Sequence, residues 1–265
     1  LTIVSEYGPE TCIIDCEHAR PFCSIGSMQL NIITLTGLTV MNGFCTETSR
    51  GGAAVDVANA SPVIRNCIFR NNGELACLLS GGALHIRDGQ PLIDRCRFEG
   101  NASGNRGGAT YMETGRLTVT DSEFERNVSQ VGGAVAVDSV DLQMNGCRFS
   151  GNVCTLLGGG IHTGGPCIVT VSDSSFSDNG AGDMEALRQS KGGAICFGAS
   201  ATQEVYRLDQ CSFENNHAGS GGAIWTGANN RLCMIDCVLD ANTATGSGGG
   251  VYSDQSQELV QTLQI

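Results

Sequence analysis

The chain has 265 residues and a formal net charge of −12, and it contains 37 glycines and 14 cysteines. Glycine averages about 7% of residues in proteins, so its excess here is a structural signal. A hydrophobic fraction of 41% excludes a disordered chain. The negative charge disfavours nucleic acids and anionic membranes as partners. No apolar run approaches the length of a membrane-spanning helix, so we predict no direct transmembrane segment.

The first 50 residues contain strand-like stretches at residues 1–5, 12–15 and 31–42. Leu38, Val40 and Asn42 echo a pattern that becomes regular later in the chain. We therefore expect residues 1–50 to form degenerate first coils of a repeat.

Residues 51–251 carry a glycine-pair tetrapeptide in eight copies. The copies begin at Gly51, Gly81, Gly107, Gly132, Gly158, Gly192, Gly221 and Gly248. A recurrence every 25 to 34 residues is typical of a solenoid, in which each repeat is one structural unit.

A second motif, Phe-x-x-Asn, runs in step with the glycine pairs. Its phenylalanines are Phe69, Phe98, Phe124, Phe149, Phe176 and Phe213. Its asparagines are Asn72, Asn101, Asn127, Asn152, Asn179 and Asn216. We expect the phenylalanines to stack in an interior ladder and the asparagines to stack in a second ladder at a turn. Leu239 and Asn242 make a conservative seventh copy.

The segment before each phenylalanine alternates apolar and polar residues, as a β-strand does. The alternation then slips by one residue, which indicates a bend between two strands. A unit of about 26 residues is too short for a β-α-β crossover with its return strand and suits one coil of a parallel β-helix. The sequence thus predicts an all-β, single-stranded parallel β-helix of about eight to ten coils. We expect one domain over residues 1–265, with residues 252–265 an incomplete last coil of a longer chain.

The tandem motifs resemble the repeats of the chlamydial polymorphic outer membrane proteins. The tetrapeptides at Gly192–Ile195 and Gly221–Ile224 match that family's GGAI motif, and Phe98–Asn101 and Phe213–Asn216 match its partner motif. The resemblance implies a right-handed helix that is secreted or displayed on a cell surface, as an autotransporter passenger used in adhesion. It also implies association with the outer membrane if the chain is an autotransporter.

Five of the 14 cysteines lie two residues before the phenylalanine position, where serine occupies two other coils. We interpret this column as small buried side chains, although a disulfide between stacked neighbours such as Cys211 and Cys237 is conceivable by distance. Cys12, Cys16 and Cys23 cluster near the start of the sequence, where they suit either free thiols or a disulfide staple. Zinc is the weaker alternative, because no paired Cys-x-x-Cys motif is present.

The residue after each tetrapeptide is expected to face solvent. This column comprises Val55, His85, Tyr111, Ala136, His162, Cys196, Trp225 and Tyr252. Aromatic faces on a rigid sheet can stack on sugar rings, so His85, Tyr111, His162, Trp225 and Tyr252 are the candidate ligand-binding residues. The alternative is that β-sheets simply favour aromatic side chains.

Other parallel β-helices are pectate lyases and polygalacturonases, an analogy of fold alone. Asp94, Asp121, Glu123 and Asp173 are the carboxylates that such chemistry would use, with calcium as the cation of the lyase reaction. No basic residue clearly converges on them, and the chain has a single lysine, Lys191. We expect solvent-facing structural carboxylates, no catalytic residue, no metal and no cofactor.

The sequence therefore predicts a non-catalytic segment that is secreted or displayed on a cell surface and mediates adhesion or recognition. Its expected partner is a host-cell surface or a glycan. A carbohydrate-active enzyme and a structural stalk between other domains are the alternatives.

Overall fold

The computed structural model of the chain describes residues 1–26, 33–45, 51–76, 78–182, 189–201 and 204–254, with the backbone of 263–264. Within these residues every regular element is a β-strand, and the strands form four parallel sheets. Each strand pairs with the equivalent strand of the next coil, so the chain winds as a right-handed β-solenoid. The predicted all-β parallel β-helix is confirmed.

Two sheets follow each other directly along every coil. Sheet A has ten strands, which are Thr2–Val4, Thr34–Thr36, Val63–Arg65, Leu92–Asp94, Gly115–Thr120, Val140–Asn145, Ile168–Ser172, Val205–Asp209, Arg231–Ile235 and Leu263–Gln264. Sheet B has nine strands, which are Ile13–Asp15, Thr39–Met41, Ile68–Arg70, Arg97–Glu99, Glu123–Glu125, Arg148–Ser150, Ser175–Ser177, Ser212–Glu214 and Val238–Asp240.

The remaining two sheets flank the glycine pair. Sheet D precedes it and has six strands, which are Ala102–Arg106, Val128–Val131, Val153–Leu157, Gly180–Ala181, His217–Ser220 and Thr243–Ser247. Sheet C follows it and has nine strands, which are Cys23–Gly26, Val55–Ala58, Leu84–Ile86, Thr110–Met112, Val135–Asp138, Ile161–Gly164, Ile195–Phe197, Ile224–Thr226 and Val251–Ser253. A full coil therefore runs from sheet A through B, D and C.

The bend between sheets A and B uses one left-handed residue in each coil, as the slip in alternation predicts. These residues have φ between 47° and 65° and are Asn66, Arg95, Asp121, Gly146, Asp173, Gln210 and Asp236. Glycine, asparagine and aspartate tolerate this conformation best, which explains most of the column.

The phenylalanines of sheet B form the predicted interior ladder. Neighbouring rings from Phe69 to Phe213 lie nearly parallel, with centroids 4.6 to 5.0 Å apart. Each ring is at most 1% exposed, and burial of one such side chain contributes about 2–3 kcal/mol. The rings belong to the main hydrophobic core, which sheets A, B and C enclose.

The asparagines form the predicted ladder at the turn after sheet B. Asn127, for example, donates its side-chain amide to the carbonyl of Phe98 at 2.9 Å and to Oδ1 of Asn152 at 3.0 Å. Its own Oδ1 accepts from the backbone and the side chain of Asn101, both at 3.0 Å. All six asparagines are fully buried, and this repeated pattern satisfies their polar groups.

The residues two positions before the ladder phenylalanines form what we call the cap column. Its members are Cys67, Cys96, Ser122, Cys147, Ser174, Cys211 and Cys237. Each thiol or hydroxyl donates to the carbonyl two residues earlier, as Ser122 does to Thr120 at 2.7 Å. Each also accepts the backbone N–H of the preceding coil, as Ser122 does from Cys96 at 3.0 Å. The column therefore carries hydrogen bonds at a bend, beyond the packing role expected for it.

The glycine pairs are required by close approach. Gly81 has φ of 77°, and a Cβ on Gly82 would overlap the carbonyl oxygen of Gly108 in the next coil. Larger residues at these corners would push adjacent coils apart.

Candidate functional site

The outer face of sheet C holds the predicted ligand-binding column. The backbone register aligns Asp56, His85, Tyr111, Ala136, His162, Cys196, Trp225 and Tyr252. The assignment of Val55 to this column is wrong, because Val55 pairs with Leu84 on the interior side. The first tetrapeptide begins at Gly52 rather than Gly51, since Ala54 makes the contacts that Ala83 makes one coil later.

The expectation that this column faces solvent is also wrong for most of its members. His85, Tyr111, His162 and Trp225 are 5%, 9%, 7% and 5% exposed. Only Tyr252, in the last described strand of sheet C, is half-buried.

Sheet D and the glycine pair cover the column. The chain reverses at the glycines, so that Gly51 lies against the ring of His85 and Gly132 against Ala136. A separate small apolar cluster of sheet D, formed by Cys154, Ala181 and Ala218, marks this second packing layer. Ligand binding at the aromatic column stays a prediction, but an open flat platform is not what the chain builds.

Under this cover the first coils hold a network of paired charges. Arg87 binds both carboxylate oxygens of Asp56, at 2.9 and 2.8 Å. Nε2 of His85 lies 2.9 Å from Glu113, and Nδ1 of His85 lies 3.7 Å from Asp56. A bidentate arginine–carboxylate pair is geometrically specific, so Asp56 and Arg87 fix one edge of the network.

A second set of charges continues the network two coils further on. The hydroxyl of Tyr111 donates to Asp138 at 2.7 Å, and Arg106 of sheet D pairs with the same carboxylate. The Arg106 guanidinium also lies 5.9 Å from the centre of the Tyr111 ring. Burial, together with the hydrogen bond to Asp138, raises the pKa of Tyr111, so Tyr111 is a neutral donor.

His162 lies next to these groups and is neutral. Burial lowers its pKa from 6.5 to about 4, while the charge of Asp138 acts weakly in the opposite direction. Nδ1 of His162 is buried without a hydrogen-bond partner. A neutral imidazole is the form that burial favours.

The later coils replace charge pairs by apolar and cation–π contacts. The ammonium of Lys191 lies 4.0 Å from the centre of the Trp225 ring. Lys191 bridges Leu157 and Ser220, in line with sheet D, so this contact joins the cover to the column. Cys196 and Cys154 are fully buried, and burial raises the pKa of both thiols.

The carboxylates considered for catalysis do not converge. Asp94 accepts from Arg65, Arg95 and Thr120, with its closest contact 2.7 Å to Arg65. Asp121 is a bend residue, Asp173 accepts from Asn145 at 2.9 Å, and Glu123 is exposed on sheet B. Among the described residues no three His, Cys, Asp or Glu side chains are grouped to hold a metal ion.

The three early cysteines pack at the first coil, where each is half-buried against the main core. All three are thiols in the structure. Burial raises the pKa of Cys23 to about 11, so its thiol stays protonated near neutral pH.

The sequence patterns did not predict an exposed apolar loop at residues 73–76 and 78–80. This segment occupies the place along the coil where later coils form sheet D. Leu75 and Leu78 are 55% and 77% exposed, while the loop end is tied down by Ser103, which donates to Leu79 at 2.8 Å. The long spacing between Asn72 and Gly81, filled with apolar residues, is the signal that could have identified it.

In the part of the chain that the structure describes, no helix combines the length and apolar character needed to cross a membrane.

Comparison with known proteins agrees with the architecture. Residues 210–227 match the Chlamydia polymorphic membrane protein repeat. Over 179 residues the chain is 25% identical to metabotropic glutamate receptor-like protein R of Dictyostelium discoideum. That match covers 67% of this chain but 10% of the relative, so the chain spans only a small part of that protein. No solved structure matches the chain.

The family model for the right-handed β-helix region matches residues 25–203, which is more than half of the chain. This stretch contains the first five phenylalanines, the first five asparagines and the first five cap residues of the repeats. The chain therefore belongs to the right-handed β-helix family and carries repeats of the polymorphic membrane protein type.

Proposed function

We propose that this β-helix is a non-catalytic recognition segment of a secreted or surface-displayed protein, and that it contacts its partner through the corner loop formed by residues 73–76 and 78–80. The observation that carries the proposal is the exposure of Leu75 and Leu78, at 55% and 77%. Exposed apolar side chains are typical of contact sites, and binding residues often lie on loops that a rigid scaffold positions.

The covered network supports a non-catalytic role. Its acids and bases are bonded to one another, as Asp56 is to Arg87 and Tyr111 is to Asp138. A general acid or base must reach a substrate proton within hydrogen-bond distance. His85 and Tyr111 are at most 9% exposed, so the cover leaves little access to them.

The relatives support display at a surface. The repeat that residues 210–227 match is named for a membrane protein, and the Dictyostelium relative is named as receptor-like. A recognition segment within a larger surface protein accounts for both similarities. An autotransporter passenger that acts as an adhesin is the more specific form of this proposal.

Binding of the fluorescently labelled chain to cultured host cells tests the proposal. The double variant Leu75→Ser, Leu78→Ser is expected to reduce binding about tenfold, as loss of two buried apolar contacts would. Ile168→Ser with Val205→Ser is the matched control, because these side chains are 60% and 51% exposed on the flat face of sheet A. Equal binding by the loop variant and the native chain would sink the proposed contact site.

An activity assay separates recognition from the enzyme alternative. Incubation with polygalacturonate, with and without calcium, is expected to release neither unsaturated nor reducing ends. Release of either product by the purified chain, abolished by His85→Ala, would replace the recognition proposal with a catalytic one.

A further inference from the structure

The cap column contains two pairs of thiols that are neighbours in successive coils. Cys67 and Cys96 form one pair and Cys211 and Cys237 the other, while Cys147 stands alone between Ser122 and Ser174. All five thiols are 4% exposed or less. The same column thus holds two thiol pairs and one isolated thiol in nearly identical surroundings.

Backbone register places each pair in direct contact. Strands of successive coils pair residue for residue immediately after these cysteines, as Ile68 does with Arg97 and Ser212 with Val238. Parallel pairing holds equivalent Cα atoms about 4.8 Å apart, which lies inside the range of about 4.4–6.8 Å found for disulfides.

The sulfurs themselves interact within each pair. Cys67 and Cys96 lie close enough for each thiol to shift the pKa of the other, and so do Cys211 and Cys237. The backbone N–H of Cys67 also donates to the sulfur of Cys96, and that of Cys211 donates to the sulfur of Cys237. Cys147 instead accepts from the backbone of Ser122, with no thiol in either adjacent cap position.

These contacts activate one thiol in each pair. The neighbouring Cys211 thiol lowers the pKa of Cys237 to about 7, and the neighbouring Cys237 thiol raises the pKa of Cys211. In the other pair the neighbouring Cys96 thiol lowers the pKa of Cys67. Burial raises the pKa of the isolated Cys147 to about 11.

We propose that Cys67–Cys96 and Cys211–Cys237 are redox modification sites, at which a small peroxide converts two stacked thiols into a disulfide between successive coils. One thiolate attacks the peroxide O–O bond and becomes a sulfenic acid, with release of one water after proton uptake. The partner thiol then displaces the second water and forms the S–S bond. For hydrogen peroxide, two thiols and one peroxide yield one disulfide and two waters. This inference is independent of the proposed partner contact.

Each bridge adds a covalent cross-link between two successive coils, beside noncovalent contacts such as the Arg65–Asp94 ion pair. Each one joins positions 26 or 29 residues apart in the chain, without requiring a change in backbone register. Oxidation is therefore expected to stiffen the solenoid at two places and leave its middle, around Cys147, unbridged.

Peptide mapping of the native chain after peroxide treatment tests the proposal. The oxidised protein is denatured, alkylated with a maleimide and digested with trypsin. We expect one peptide that joins residues 66–70 to 96–97, and a second that joins the peptides containing Cys211 and Cys237. The peptide containing Cys147 is expected to carry the maleimide or an oxygen adduct, never a bridge to another cap cysteine. Recovery of unbridged Cys67 and Cys237 at peroxide levels that already oxidise Cys147 would overturn the proposal.

A variant that adds a thiol to the cap column provides a second test of the proposal. Ser122→Cys retains a hydrogen-bonding side chain at the cap position and places a thiol beside both Cys96 and Cys147. Peroxide is then expected to recruit position 122 into a bridge with one of these two residues. Ser61→Cys, at an exposed position outside the column, is the matched control and is expected to remain unbridged to cap cysteines. Failure of Ser122→Cys to form any cap bridge in a folded protein would also contradict the proposal.

Discussion

Two sides of the same coil follow different rules of stabilisation. On the sheet B side, phenylalanine stacks on phenylalanine and asparagine bonds to asparagine, so the six coils from Phe69 to Phe213 repeat the same contacts. On the sheet C side, the column beneath sheet D contains a different residue in almost every coil, including Asp56, His85 and Trp225. Charge pairs hold its early coils together, and a cation–π contact appears in a later one.

This difference shows which positions of a solenoid stabilise the fold in each coil and which positions can change from coil to coil. A ladder residue serves two neighbours at once, so a change there disturbs three coils. A residue beneath sheet D serves one or two specific partners, so the same column can hold carboxylates, imidazoles or aromatic rings. Four substitutions, taken from the largest expected effect to the smallest, probe that contrast.

Asn127→Ala should give the largest loss. It removes the acceptor of two Asn101 hydrogen bonds and the donor to Phe98, all inside the protein. Unsatisfied buried groups cost about 1–3 kcal/mol each, so we expect about 4 kcal/mol in the free energy of unfolding measured by urea denaturation. Asn242→Ala, at a half-buried rung, is the control and should lose less than half as much. Equal losses at the two rungs would show that ladder position does not matter.

His162 should make stability depend on acid. Because its pKa falls from 6.5 to about 4 on folding, the unfolded chain binds a proton that the folded chain does not. Stability is therefore unaffected above pH 6.5, and it decreases as the pH falls from 6.5 to 4, by about 3 kcal/mol in total.

Urea denaturation of His162→Gln between pH 7 and pH 4 measures this contribution. The variant should show a shallower pH dependence than the native chain over that interval. His18→Gln, at an exposed turn, is the control and should leave the slope unchanged. If the His162→Gln variant kept the pH dependence of stability of the native chain, His162 would not be its source.

Ser122→Ala separates hydrogen bonding from packing in the cap column. The alanine keeps the small volume but loses the bonds to Thr120 and Cys96, and we expect a loss of about 2 kcal/mol. Ser122→Cys should lose less, since cysteine fills the same position in five other coils. Chemical denaturation in the presence of a reductant compares the two variants. If the Ser122→Ala variant is as stable as the Ser122→Cys variant, the cap column stabilises the protein through packing alone.

Lys191→Met should have the smallest effect. It keeps the length of the side chain but removes the ammonium above the Trp225 ring. Cation–π contacts contribute about 0.5–2 kcal/mol, so we expect the free energy of unfolding to fall by about 1 kcal/mol in urea denaturation. We also expect a shift in the fluorescence of Trp225. Arg148→Met, at an exposed position of sheet B, is the control, and an equal fluorescence shift in that variant would argue against a specific contact.

The periodic side of the molecule could be predicted from sequence, because every rung has the same residue type. The roles of Phe69 and Asn72 are predicted by five later copies of the motif at the same spacing. The bend residues were likewise visible, since Asn66 and Asp121 favour the left-handed conformation that the structure shows.

The sheet C side could not be predicted in the same way. Alternation places Trp225 and His162 outward from sheet C correctly, but it does not reveal that sheet D lies over them. That cover depends on single contacts, such as Lys191 with Trp225 and Arg106 with Asp138. Because these contacts do not recur from coil to coil, the repeat pattern does not predict them. Val55 was misassigned for a related reason, because Gly51 precedes the true corner by one residue.

The cover over sheet C is the central claim, and the chain has one tryptophan to test it. Trp225 is 5% exposed and lies beneath Lys191. Acrylamide quenching of its fluorescence should be weak in the native protein and should rise severalfold after denaturation in urea. Native quenching as strong as that of the unfolded chain would place Trp225 in solvent and contradict the covered column.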